Sequence, residues 1–217
     1  VTYAADSHTL YGELYYNRAA QYPEGTMIQV IDWDSGKPLI QIPQVANTYT
    51  TVGNMNQWGL AIAETTYGGR EELVDTTGGI DYGSLIYLTL QRAKNAREAI
   101  KQIAEFVDTY GYYSSGESFS IIDENEVWIM ELIGKGAPVY NKKGKIDKRW
   151  TKGAVWVAMR VPDGCISGHA NHARITTFAQ ATKGSIQSIS SKKMKEIFRP
   201  DVEVVYSHDV TTSERLQ

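Results

Sequence analysis

The sequence predicts a layered α+β fold, with sheets packed on one another inside helices. Two observations carry this. Strand-like segments come first, two helices follow, and strands return. Two of the later strands are apolar on both faces, so each needs a layer above it and a layer below.

Thr26–Ile31 reads as a strand, closed by the turn-like Asp34-Ser35-Gly36. Tyr49–Asn54 and Leu60–Thr66 read as a hairpin around Asn56-Gln57-Trp58-Gly59. Asp81 is placed to cap a first helix, in which Leu85, Ile86, Leu88 and Leu90 leave little polar surface, so that helix should be well buried. Asn95 and Glu98 resemble a capping box for a second helix. There Ala96, Ala99, Ile100, Ile103, Ala104, Val107 and Tyr110 recur at helical spacing, and Gly111 is a fitting stop. Ser118–Ile122 and Val127–Met130 flank Asp123-Glu124-Asn125, a hairpin turn. Val127 and Ile129 face one way along that second strand, Trp128 and Met130 the other. Ala154–Met159 is apolar on both sides as well. Met194, Ile197 and Phe198 suggest a short helix. No linker or repeat divides the chain, which reads as one domain over residues 1–217.

Composition narrows the function. The 217 residues carry a net charge of −3, so no basic footprint argues for a nucleic-acid partner. The longest apolar runs are far short of a membrane span, so no membrane partner is expected. Lys142, Lys143, Lys145, Lys148, Arg149 and Lys152 form a basic stretch that reads as a solvated hairpin insertion, against the alternative of an anion site. Oligomeric state is not legible, and no cofactor is implied. There is no phosphate-binding glycine loop, no dinucleotide fingerprint and no nucleophile-elbow serine motif.

Cys165, the only cysteine, has His169 four residues on. A thiol beside an imidazole is a minimal nucleophilic pair. The segment Gly164-Cys165-Ile166-Ser167-Gly168 reads as a strand or a turn, however; four residues along a strand span about 13 Å, out of contact, and a small buried cysteine is the commoner outcome. His169 and His172 lack an evident third ligand for a metal.

Four stretches go further: Gly53–Arg70; the helix around Asp81-Tyr82-Gly83-Ser84-Leu85; Ile122–Glu131; and Trp156–Gly164 running on to Gly168-His169-Ala170-Asn171-His172-Ala173-Arg174-Ile175. In this order they resemble the dipeptidase A family of cysteine peptidases, which includes the secernins. The likeness covers about residues 1–178 and is most specific in the last stretch.

The resemblance implies a four-layer αββα N-terminal-nucleophile hydrolase fold, shared with penicillin V acylase and bile salt hydrolase, here incomplete at both ends. It implies a dipeptide substrate and a cysteine nucleophile exposed as the first mature residue, with its own α-amino group as general base. Asp6 matches the aspartate that orients this amino group, and Asn171 the asparagine near the oxyanion hole. Thr66 matches an oxyanion-side polar position, and Arg70 is placed to meet a substrate carboxylate unless it forms a surface ion pair. Tyr3 departs from the arginine that related acylases carry there. Val1 has no nucleophilic side chain, so the cysteine is expected upstream and the chain alone is expected to be inactive. Hydrolysis of other acyl amides, an inactive binding module of the same fold, and a Cys165–His169 dyad stand as alternatives.

Overall fold

A computed structural model describes residues 15–168, 170–181 and 187–210. Its strands are β1 (Tyr16–Asn17), β2 (Met27–Ile31), β3 (Pro38–Pro43), β4 (Thr51–Val52), β5 (Met55–Asn56), β6 (Ala61–Gly68), β7 (Gly116–Ile122), β8 (Val127–Gly134), β9 (Ala154–Arg160), β10 (Ser188–Ser190) and β11 (Val204–Tyr206). Helices α1 (Tyr82–Leu90) and α2 (Ala96–Tyr110) separate β6 from β7. A short 3-10 helix, Ser191–Phe198, stands where the sequence suggested a helix.

Nine strands form one sheet in the order β1-β4-β5-β6-β7-β8-β9-β11-β10, antiparallel except for the β10–β11 pair. The centre is the ladder β6–β7–β8–β9, the longest strands of the sheet. Alternation sorts its side chains. Ile62, Phe119, Ile121, Trp128, Met130, Leu132, Trp156 and Ala158 join the main core, with α1 and α2. On the opposite face Val157, Val204 and Tyr206 form a smaller cluster, covered by Ile175 and Phe178 from the segment after β9. The two-sided strands thus do have cover on both faces. The described residues contain one large sheet, two α-helices and the separate hairpin β2–β3.

Burial all round α1 has a clear cause. One side meets the sheet and the other meets the β2–β3 hairpin, whose Val30 and Ile42 are fully buried with it. Ser84 Oγ donates to Ile31 O, and the Trp33 side chain lies so close to Gly83 that a Cβ there would come within 2.6 Å of it. Asp81 caps the helix as expected. Its carboxylate accepts from the backbone N–H groups of Gly83, Ser84 and Trp33. Asn95 accepts from Glu98 N to start α2, while Glu98 reaches one residue further back, to Lys94 N. Gly111 ends α2 at φ 84°, a conformation costly for other residues.

One expected strand is shorter in the structure. Tyr49–Asn54 keeps only Thr51–Val52 as strand, then turns at Gly53-Asn54 into β5. The buried Asn56 amide explains the second turn. It donates to Leu90 O and Ala93 O and accepts from Trp58 N and Leu60 N, so all its bonding groups are used and the loop is tied to the end of α1. The basic stretch is the solvated insertion that its composition suggested: Lys142, Lys143, Lys145, Lys148, Arg149 and Lys152 are all exposed.

Arg97 fastens α2 to the far end of the ladder. Its guanidinium pairs with both Glu126 oxygens, donates to Ile197 O and Arg199 O, and stands 5.1 Å from the Trp128 ring. Removing one partner of a buried pair strands the other. Arg97→Ala should therefore lower stability by about 3–5 kcal/mol in urea unfolding. Lys101→Ala, which loses only an exposed pair with Glu105, should change it by less than about 1 kcal/mol.

Candidate active site

Thr66 and Asn171 lie 105 positions apart in sequence, and the structure joins them. Asn171 Nδ2 donates to the Thr66 carbonyl at 2.8 Å. A carbonyl only accepts, so the amide's nitrogen end must face it. Asn171 is exposed.

The segment carrying Asn171 has little regular structure, and side chains of the sheet fix it. Glu131, on the face of β8 away from the helices and only 5% exposed, accepts from the backbone N–H groups of Arg174 and Ile175. Ile175 and Phe178 pack against Val157, Val204 and Tyr206. Tyr206 Oη accepts from Ala181 N. A buried carboxylate is costly unless donors surround it, so Glu131 selects the backbone conformation that brings two donors to it. Asn171 is thereby held at the edge of the sheet.

The Thr66 hydroxyl lies on the helix-covered face and donates to Glu117 Oε2 at 3.1 Å. Thr66 is directly opposite Glu117 in the β6–β7 register, and Glu64 is opposite Phe119. Glu64, Thr66 and Glu117 therefore share one face. Burial, and then the nearby Glu64 carboxyl, push Glu117 up to about 10. Just past Thr66 the pairing shifts by one residue at Tyr67, whose ring lies over Gly116 and whose hydroxyl donates to Leu132 O. Only a glycine leaves room there, since a Cβ on Gly116 would sit 2.4 Å from that ring.

The other expected site residues fall as follows. Asp6 and His169 lie outside the described residues. Arg70, two residues past β6, holds Glu72 in an ion pair whose side chains are 57% and 61% exposed. Cys165 is exposed rather than buried, because it follows a turn closed by its own N–H on Pro162 O and not a strand. His172 is exposed too. Among the described residues no group of three or more His, Cys, Asp and Glu is arranged to hold a metal ion. Sequence reasoning gave Glu64, Glu117 and Glu131 no role. The signal was available: Glu64 and Glu131 are lone charges in otherwise apolar strands.

Comparison with known proteins adds the family. The model for Peptidase family C69 matches residues 1–207. The chain belongs to that family. Among curated C69-like relatives, a probable dipeptidase of Latilactobacillus sakei is 30% identical over 97 residues, 45% of this chain and 16% of its own length. A probable dipeptidase B of Lactococcus lactis is 28% identical over 133 residues, 60% of this chain and 24% of the relative. Dipeptidase A of Lactobacillus helveticus is 28% identical over 102 residues, 46% and 17% respectively. The matched stretches span a quarter or less of these relatives.

Glu131→Ala removes the acceptor for two backbone donors. It should speed amide hydrogen exchange at Arg174 and Ile175 and lower stability by about 1.5–3 kcal/mol. Glu131→Gln, which keeps one acceptor oxygen, should show the smaller change in both.

Proposed function

We propose that this chain forms part of a cysteine-type dipeptidase with an N-terminal nucleophile. The observation that carries the reading is the Asn171–Thr66 contact, because it unites two residues that the sequence resemblance assigns to the oxyanion side. Family membership and relatives named as dipeptidases support it.

In this reading the nucleophile is a cysteine N-terminal to Val1, and residues 1–217 belong to a single four-layer αββα domain. A free α-amino group titrates near pH 8, so part of it is unprotonated at neutral pH and takes the thiol proton. Asp6 holds that amine in place. The thiolate attacks the substrate carbonyl and the carbon–nitrogen bond breaks. The leaving amine takes the proton from the α-ammonium, and an acyl-enzyme remains. Water, deprotonated by the same amine, then releases the acyl group and regenerates the thiol.

Asn171 acts on the developing oxyanion with its second N–H. A neutral amide suits that task because it stabilises charge without titrating. Thr66 serves by its carbonyl, which fixes the Asn171 amide, since its hydroxyl proton is given to Glu117. Arg70 meets the substrate's terminal carboxylate by exchanging its Glu72 partner. That role favours substrates whose leaving group carries a carboxylate.

The test is to express the chain with its natural upstream segment, confirm an N-terminal cysteine, and assay dipeptides beside N-acyl amides. Dipeptide hydrolysis is expected, with Asn171→Ala lowering kcat by about 10²–10³-fold. Arg70→Ala should raise KM for dipeptides with little change for amides that lack a carboxylate. A folded, processed protein that cleaves neither substrate class would overturn the reading.

A further inference from the structure

Glu117 is fully buried on the covered face of the central ladder, and its two oxygens differ. Oε2 accepts from the Thr66 hydroxyl, while Oε1 has no hydrogen-bond donor among the described residues. A buried carboxylate oxygen without a donor is costly. The phenols around it do not supply one. Tyr67 donates to Leu132 O, Tyr82 to Asp34 Oδ1 and Tyr112 to Ser115 O. Among the described residues, the titratable groups that act on Glu117 include those three phenols and two further acids, Glu64 on β6 and Asp34 in the β2–β3 turn. Glu64 is the diagonal cross-strand neighbour, close enough for two long side chains to meet.

We propose that Glu64 and Glu117 share one proton, and that this pair is a positioning element that sets Thr66 and, through the Thr66 carbonyl, the Asn171 amide. The missing donor is the proton carried by the pair itself. Two adjacent carboxylates, one of them fully buried and the other half-buried, disfavour double ionisation at neutral pH, which is the logic of a carboxyl dyad. One proton lets Glu117 bond Glu64 on one side and accept from Thr66 on the other. Losing it sets two negative charges against each other beneath β6, and the end of β6 is what holds Asn171. The assignment of Asn171 to an oxyanion role rests on the proposed peptidase reading; the proton-sharing pair does not.

The pH sense follows from the folded and unfolded states. An exposed glutamate ionises near 4.5, whereas Glu117 keeps its proton up to about 10. Its contribution to stability is full below pH 4.5 and is lost as pH rises toward 10.

The experiment uses the full 217-residue chain and needs no turnover. Urea unfolding is measured across alkaline pH for the native sequence, Glu117→Gln and Glu64→Gln. The carbon-13 shift of the Asn171 side-chain carbonyl is followed over the same range. The native unfolding constant should rise with pH, relative to Glu117→Gln, by up to about tenfold per pH unit. The Asn171 shift should move with it in the native protein and stay flat in Glu117→Gln. Glu64→Gln should bring both changes to lower pH, since Glu117 gives up its proton more easily beside a neutral amide. Equal pH dependence in the native chain and Glu117→Gln, or no displacement by Glu64→Gln, overturns the shared proton. An Asn171 shift that ignores pH while stability responds overturns the positioning role. Neither result bears on dipeptide hydrolysis, so this proposal and the peptidase reading fail separately.

Discussion

The constraint on which the structure depends is that its central ladder is covered on both faces. A half-exposed sheet lets polar side chains lean into water. Strands β7 to β9 offer little such outlet over most of their length, so a polar group there is costly unless it finds a partner within the protein. Glu131 meets the requirement by gathering two backbone N–H groups from the segment after β9. Thr66 meets it by bonding across to Glu117. The geometry of the candidate site is therefore a by-product of satisfying buried polar groups. Asn171 stands beside Thr66 because the backbone a few residues further on is fixed to Glu131.

The same constraint separates two glutamates of similar burial. Glu131 has two backbone N–H donors on its oxygens. Glu117 has, among the described residues, one hydroxyl donor and an acidic neighbour, an environment that favours the neutral acid. They lie on adjacent strands and on opposite faces, so one organises the side away from the helices and the other the helix side. Thr66 is the residue common to both, through its carbonyl and its hydroxyl.

The helices hold this arrangement at its edges. α1 is clamped between the sheet and the β2–β3 hairpin, and its N-cap Asp81 ties Trp33 to the helix start. That placement brings Asp34 and Tyr82 to the side of the Glu64–Glu117 pair. Arg97 binds α2 to the β7–β8 turn and to the 3-10 helix, and the same turn residue Glu126 also pairs with Arg160 of β9. The ladder is thus secured at the end away from Thr66, which leaves the Thr66 end to loops.

By itself the sequence determined the elements whose signals are local. The caps Asp81 and Asn95, the stop at Gly111, the helical repeat of α2 and the two-sided apolar strands follow from short-range bonding and periodicity, and the structure has them where the sequence put them. The motif order, too, was enough to point to a peptidase family. Tertiary structure decided the rest. The break of the Tyr49–Asn54 strand depends on an Asn56 amide satisfied by carbonyls more than thirty residues away. The exposure of Cys165 depends on a turn where a strand was one of two readings. The pairing of Glu64 with Glu117, and of Thr66 with Asn171, depends on strand register and on a fixed loop, neither of which leaves a local trace. A residue's charge state and partners are set by what packs around it, and sequence spacing does not encode that.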